Sequence, residues 1–229
     1  MDFWQKKVVQ NKQRKHTVAV AKLWLGRKTM AKQAKTLTQQ ELRRVLDYIA
    51  TRKHNLRNKA MVMMTFLSGM RVGEVANLRY CDVVDDSGNI RKEIRLTAEQ
   101  TKGNQARVVF FNERLRKELS SYIKAYRPAD TTHKLFYSQK EASDGFSANT
   151  LTQFFHHLFQ RSGISGASSH SGRRTFITTL ANKGISVRVL ASLAGHKNIS
   201  TTQCYIDVND EMKREAVELA SELANTGVR

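Results

Sequence analysis

Residues 193–205 read LAGHKNISTTQCY, and this stretch decides how the chain is interpreted. A glycine ends a predicted helix and is followed at once by His196, then later by a lone tyrosine, Tyr205. A second histidine, His170, and an arginine, Arg173, lie a little upstream. Arginine and histidine side chains near a tyrosine supply what its phenol group needs to attack a DNA phosphate without a metal ion.

Cleavage of DNA by a tyrosine makes specific demands on the residues around it. The phosphodiester is already anionic and gains charge during attack, so two planar arginine forks, Arg71 and Arg173, are predicted to hold its oxygens. A tyrosine hydroxyl in water has a pKa of about 10, so the nucleophile needs positive surroundings or a base. His170 and His196 can bond the phosphate or carry the phenol proton, and Lys102, in a turn, can protonate the leaving 5′ oxygen. This chemistry predicts no cofactor and no metal site.

The charge of the chain predicts its partner. The 229 residues carry a formal net charge of +19 and a pI of about 10.2. Such an excess favours a polyanion, most often nucleic acid, over the plainer alternative of a solvated basic face. The two cysteines, Cys81 and Cys204, lie far apart and are expected to stay reduced. The sequence has no apolar signal segment and no apolar run of membrane-spanning length. These features predict a cytoplasmic location.

Residues 1–35 differ from the rest in composition. They contain ten lysine or arginine residues against one acid, Asp2, a net charge of +9. A basic helix over about 17–34 would suit an arm that grips DNA phosphates, and a loose basic tail is the alternative.

Residues 36–229 are predicted to form one mainly helical domain with a small antiparallel three-stranded sheet, an α+β fold. Thr38 and Glu41 have the spacing of a capping box, which starts the first helix. Alternating apolar and charged residues separated by turns predict strands near 83–84, 90–96 and 107–111. Further helices are predicted over 56–67, 72–78, 112–126, 147–161, 170–183, 186–194, 200–207 (carrying Tyr205) and 209–224.

Four segments resemble, in order, the motifs of the tyrosine recombinase (phage integrase) family. They are SGMRVGEVANL at 68–78, TKG at 101–103, HSGRRTF at 170–176 and the 193–205 stretch. The resemblance covers about residues 36–210. It implies the catalytic-domain fold of that family and a site-specific recombinase or integrase, of the kind carried by mobile genetic elements.

The resemblance also implies roles for the predicted site residues. Tyr205 would be the nucleophile and would form a 3′-phosphotyrosine link that stores the bond energy, so that rejoining needs no nucleotide. Arg71 and Arg173 would clamp the phosphate, Lys102 would be the general acid, and two residues, His170 and His196, would assist. Glu74, one helical turn past Arg71, would orient its neighbours.

The implied partners are double-stranded DNA and further copies of the chain. Recombination in the family takes four subunits on two duplexes. The predicted helix over 209–224 would dock on a neighbouring subunit, or alternatively pack on its own domain.

The chain departs from the family pattern in two places. Arg174 stands where the family usually has histidine. The family usually has a separate core-binding domain before the catalytic one, and residues 1–35 are too few to form it.

Two other functions remain open at this point. One is a catalytically weak DNA-binding protein of the same fold, and the other is an enzyme like the type IB topoisomerases. Lys92 and Arg107 are alternatives to Lys102, because the register of the hairpin is not fixed by the sequence.

Overall fold

The computed structural model describes residues 33–101, 103–128, 130–138 and 145–205, together with Arg214, Val217 and Glu218. Most of the predicted basic helix over 17–34, the residue Lys102, and most of the predicted helix over 209–224 therefore lie outside the described residues. In the described part of the chain, no helix has the length and apolar character required to cross a membrane.

Side-chain caps decide where several helices begin. The predicted capping box is confirmed: the Thr38 hydroxyl accepts from the Glu41 amide at 3.2 Å, and the Glu41 carboxylate accepts from the Thr38 amide at 3.0 Å. Asn112, Ser147 and Ser186 also accept from the amide three residues ahead, and their helices begin close to the predicted starts at 112, 147 and 186. The helices are α1 (Gln39–Ala50), α2 (Asn55–Ser68), α3 (Val72–Asn77), α4 (Tyr80–Val83), α5 (Glu113–Ala125), α6 (Ala148–Arg161), α7 (Ser171–Ala181), α8 (Val187–Ala194) and α9 (Ile199–Gln203).

Helix α2 forms the centre of the core. Its methionines Met61, Met63 and Met64 are fully buried, and the helix packs against α5 and α7. A helix that is apolar on most sides is stable only when it is enclosed in this way. Helix α7 approaches closely because it presents a glycine, Gly172, where a Cβ would lie 2.1 Å from the hydroxyl oxygen of Thr65. This packing sets the distance between the end of α2 and the arginines of α7.

The described sheet has two strands, so the predicted three-stranded sheet is not confirmed. Strand β1 (Glu93–Leu96) pairs antiparallel with β2 (Arg107–Phe110). Of the strand predicted at 83–84, Val83 belongs to helix α4, which starts where the Asp82 carboxylate accepts from the Arg79 amide at 2.8 Å. Val84 then forms only a single bridge with Ile90. The Asp82 cap therefore favours a helical turn over strand pairing at Val83.

The predicted helix over 200–207 is shorter than expected. Helix α9 ends at Gln203, and Tyr205 lies in the turn that follows, where its amide donates to the Thr202 carbonyl at 2.9 Å. A helix of five residues is not stable by itself, and three of its residues are β-branched. The tyrosine is therefore presented by a turn that packs against the rest of the domain.

Candidate active site

Arg71 stands at the start of helix α3 and is held there by Glu74. The Arg71 amide donates to one Glu74 carboxylate oxygen and its guanidinium donates to the other, both at 2.8 Å. Glu74 is 1% exposed, whereas the Arg71 side chain keeps 26% of its surface exposed. The arrangement leaves part of the Arg71 side chain exposed beside a cavity that a phosphate could enter.

Arg173 lies deeper, on helix α7. Its guanidinium donates to the Gly69 carbonyl at 2.7 Å and also to the Ala194 carbonyl. Burial lowers the pKa of Arg173 to about 9, with a smaller contribution from the nearby charge of Arg71. The side chain is therefore still a cation at neutral pH. It joins the end of α2 to the end of α8, which lie far apart in the sequence.

The arginines are held by carbonyl groups at the ends of two helices. The C-terminal end of a helix leaves carbonyls without intrahelical partners and carries partial negative charge, so it stabilises cations. Gly195, after α8, accepts from Arg71 at 3.2 Å, and Gly69, after α2, accepts from Arg173. Both glycines have a left-handed backbone, with φ +62 and +66. A Cβ on Gly195 would lie 2.5 Å from the Arg107 side chain, so only glycine fits at this helix end.

Arg107 is a third guanidinium of the site. It lies on β2 and donates to Glu74 and to the Leu193 carbonyl, each at 2.8 Å. Only 9% of the side chain is exposed. From the sequence, Arg107 was expected only as an alternative to Lys102, but its N–H groups are directed into the protein. The one sequence signal for its position is an arginine at the start of a strand that follows the TKG turn.

Glu74 is a buried carboxylate between two arginines. Burial alone would raise the pKa of Glu74, but the charge and hydrogen bond of Arg107, followed by those of Arg71, hold it below its ordinary value. Glu74 therefore remains ionised at neutral pH. It fixes both guanidinium groups and balances part of their charge.

His196 and Tyr205 meet beside these arginines. Their ring centroids are 5.9 Å apart, with an angle of 21° between the ring planes. The Nδ1 atom of His196 is 2.8 Å from the hydroxyl of Thr202, a residue with no exposed surface. Thr202 thus orients the imidazole and leaves Nε2 on the opposite edge of the ring. Thr202 carries no signal in the sequence that would mark it as part of the site.

Burial and the nearby positive charges keep His196 neutral at neutral pH. Burial, followed by the charges of Arg173, Arg71 and Arg107, lowers the pKa of His196 from 6.5 to about 4. At neutral pH the ring can therefore accept a proton or donate one, depending on its tautomer.

This pKa shift predicts a pH dependence of stability. Between pH 6.5 and about 4, His196 is protonated in the unfolded chain but neutral in the folded one. The free energy of unfolding therefore falls as the pH falls through this window. The His196 C–H resonance in NMR should titrate near pH 4, and its absence in the variant His196→Gln identifies it. In that variant the free energy of unfolding should depend less on pH between 6.5 and about 4. A midpoint near 6.5 would contradict the prediction.

A cavity of about 380 Å³ opens next to Arg71. His170, which is exposed at the start of α7, lines this cavity together with Glu99 and Thr101 from the turn after β1. The structure thus brings five of the predicted residues to one face of the domain: Arg71, His170, Arg173, His196 and Tyr205. The sixth, Lys102, lies outside the described residues.

Comparison with known proteins agrees with this architecture. The phage integrase family model matches residues 35–212. Among curated proteins, tyrosine recombinase XerA of Thermococcus kodakarensis is 32% identical over 81% of this chain and 62% of its own length. XerA of Pyrococcus furiosus is 28% identical over 83% of this chain and 63% of its own length. The chain therefore spans less than two thirds of these relatives.

Solved structures show the same fold. The crystal structure of XerA recombinase superposes with a TM-score of 0.64 and 27% identity, over 81% of this chain and 65% of that one. The Tn1549 transposon integrase, solved with a circular intermediate DNA, gives a TM-score of 0.67 at 20% identity, over 83% and 67% of the two chains. Since the family model covers most of the sequence and the fold agrees with it, the chain belongs to the phage integrase family.

Proposed function

We propose that this chain is a site-specific recombinase that cleaves and rejoins DNA strands through Tyr205. The observation that carries the proposal is the meeting of two arginines, a neutral histidine and a tyrosine on one face. Arg173 and Tyr205 are close enough to interact electrostatically, and His196 packs on the tyrosine ring. Cationic donors around a phenol are the arrangement that a phosphate-cleaving tyrosine requires.

The proposed reaction uses each side chain at a defined atom. The Tyr205 oxygen forms a bond to phosphorus while the bond from phosphorus to the 5′ oxygen breaks. Arg71 and Arg173 hold the non-bridging oxygens with N–H donors that are not used on carbonyls or Glu74. Neutral His196 accepts the phenol proton, and His170 bonds the phosphate. In the reverse step, a 5′ hydroxyl attacks the 3′-phosphotyrosine and releases the phenol.

We assign the proton for the leaving 5′ oxygen to Lys102. The neighbouring residue Gly103 supports this, because a Cβ built on it would lie 3.4 Å from the Lys197 side chain. The turn that holds Lys102 therefore approaches the residue directly after His196. Arg107 is already bonded to Glu74 and Leu193, which favours Lys102 as the acid.

The proposed substrate is duplex DNA, and residues 1–35 are proposed to extend the contact with it. Support comes from the net charge of +19 and from the Tn1549 integrase, which was solved on DNA. Replacing Lys6, Lys7, Arg14 and Lys15 with glutamine should reduce the slope of log affinity against log salt, because fewer counterions are released. Filter binding over a salt series measures this slope. An unchanged slope would favour a tail that does not touch DNA.

We further propose that four subunits assemble on two duplexes, with residues 209–224 docking on a neighbour. An exposed apolar side chain in this segment supports the idea: Val217 is 69% exposed. Truncation after Asp207 should then abolish DNA-dependent assembly in sedimentation experiments while leaving the thermal unfolding curve unchanged. Loss of the folded domain on truncation would instead favour packing of the segment on its own domain.

The experiment that tests the function is covalent capture. Duplexes made from the DNA that flanks the gene are incubated with the chain, quenched in detergent and resolved on a denaturing gel. We expect a protein–DNA adduct and, after digestion, a peptide with a 3′-linked nucleotide on Tyr205 in mass spectrometry. Binding without an adduct would favour a DNA-binding protein. Relaxation of supercoils without exchange between two sites would favour a topoisomerase.

A further inference from the structure

Arg174 is the residue at which this chain departs from the family pattern, and the structure places it on the nucleophile. Its guanidinium carbon lies 5.1 Å from the centre of the Tyr205 ring. Successive helical residues point about 100° apart. Arg173 is therefore buried against the Gly69 and Ala194 carbonyls, while Arg174 extends from α7 partly exposed. The two neighbouring arginines therefore serve different partners.

Among the described residues, two side chains contact the Tyr205 ring. The residue lies beyond the end of α9, and its backbone amide donates to the Thr202 carbonyl. Its ring is contacted by His196 and by Arg174. His196 is itself anchored through Thr202, whereas Arg174 comes from α7, the helix that carries the phosphate clamp residue Arg173. Arg174 thus links the tyrosine to the clamp.

The charge of Arg174 is available for the ring. Within the described residues Arg174 forms no ion pair with a carboxylate, and Arg173, which also interacts electrostatically with Tyr205, is likewise a cation. A cation over an aromatic face is attracted by the electron-rich ring, and arginine also stacks its plane against it. The interaction limits how far the ring can rotate away from the clamp.

We propose that Arg174 is a positioning residue whose guanidinium holds the Tyr205 ring against the site, so that the phenol oxygen is presented to the bound phosphate. The proposal rests on the proposed function, because it assigns the residue that orients the nucleophile.

The first test separates cleavage from DNA affinity. Single-turnover adduct formation is measured at saturating DNA for wild type, Arg174→Met and Arg174→Lys. We expect Arg174→Met to be slower by about 3- to 30-fold, the range of a cation–π contact. Arg174→Lys should recover most of the rate, because an ammonium group also binds the ring face. The matched control is Arg52→Met, which removes an arginine 4.3 Å over the ring of Tyr48, and we expect it to leave the rate unchanged.

A second test reads the contact without any reaction. The six tyrosines are replaced biosynthetically by 3-fluorotyrosine, and Tyr205→Phe identifies the Tyr205 signal in fluorine NMR. Arg174→Met should shift that signal in the free protein, and Arg52→Met should shift only the Tyr48 signal. An unmoved Tyr205 signal would overturn the contact.

Other outcomes also decide the proposal. If Arg174→Met weakens DNA binding but keeps the cleavage rate at saturating DNA, Arg174 is a phosphate contact and the proposal is wrong. If wild type forms no adduct, the proposed function fails and the positioning role falls with it, while the NMR shift still reports whether the two side chains meet. The two failures are thus distinguishable.

Discussion

Replacement of Tyr205 by phenylalanine is expected to remove the covalent protein–DNA adduct completely. The phenyl ring can keep its packing on His196 and Arg174, but it has no oxygen to form the bond to phosphorus. DNA affinity should change little in comparison, because one neutral hydrogen-bonding group contributes about 0.5–1.5 kcal/mol. The adduct is measured on denaturing gels, and the affinity is measured by gel shift with the same duplex.

Tyr48→Phe is the matched control for this variant. Tyr48 also lies under an arginine, Arg52, but on helix α1 and outside the site residues described above. We expect it to form the adduct at the wild-type rate. An adduct that persists in Tyr205→Phe would show that another residue is the nucleophile and would reject the site assignment.

Replacement of Arg173 by lysine is expected to slow strand cleavage by about 100- to 1000-fold, the range for removal of one donor to transition-state charge. The guanidinium reaches the Gly69 and Ala194 carbonyls and still has donors left for a phosphate. A lysine ammonium is a single point on a flexible stem, so it cannot hold two carbonyls and a phosphate in the same plane. The rate is measured in single turnover at saturating DNA.

Thermal unfolding of the same variant distinguishes lost chemistry from lost fold. A carbonyl left without a donor in the buried site costs about 1–3 kcal/mol, so the rates must be compared below the melting temperature of the variant. Arg161→Lys, an exposed change in the last turn of α6, is the control and should match wild type. A rate for Arg173→Lys within about threefold of wild type would be below the range expected for a transition-state donor and would place Arg173 outside the clamp.

Local features of this fold were predictable because their causes are local. The caps at Thr38, Asn112, Ser147 and Ser186 each act on an amide three residues ahead, and all are present. The same rule also explains the error in the sheet. The bond from the Arg79 amide to Asp82 makes residues 80–83 helical, and this helix includes Val83, the first residue of the strand predicted at 83–84.

The long-range contacts of the site could not be predicted in this way. Arg71 bonds Gly195 across 124 positions, and Arg173 bonds Gly69 across 104. Arg107 was expected only as an alternative general acid, and its true partners are Glu74 and the end of α8. Nothing in the neighbourhood of an arginine in the sequence states which helix end will accept its hydrogen bonds.

The sequence by itself determined most of the helical plan, the family and five of the side chains that meet in the site. It did so because capping, periodicity and motif spacing are set over a few residues. Tertiary structure alone decided that Arg107 donates to Glu74, that Thr202 orients His196, and that Tyr205 sits in a turn under Arg174. These contacts join β2 to α3, the end of α8 to α9, and α7 to the turn after α9, so they form only when these elements are packed together.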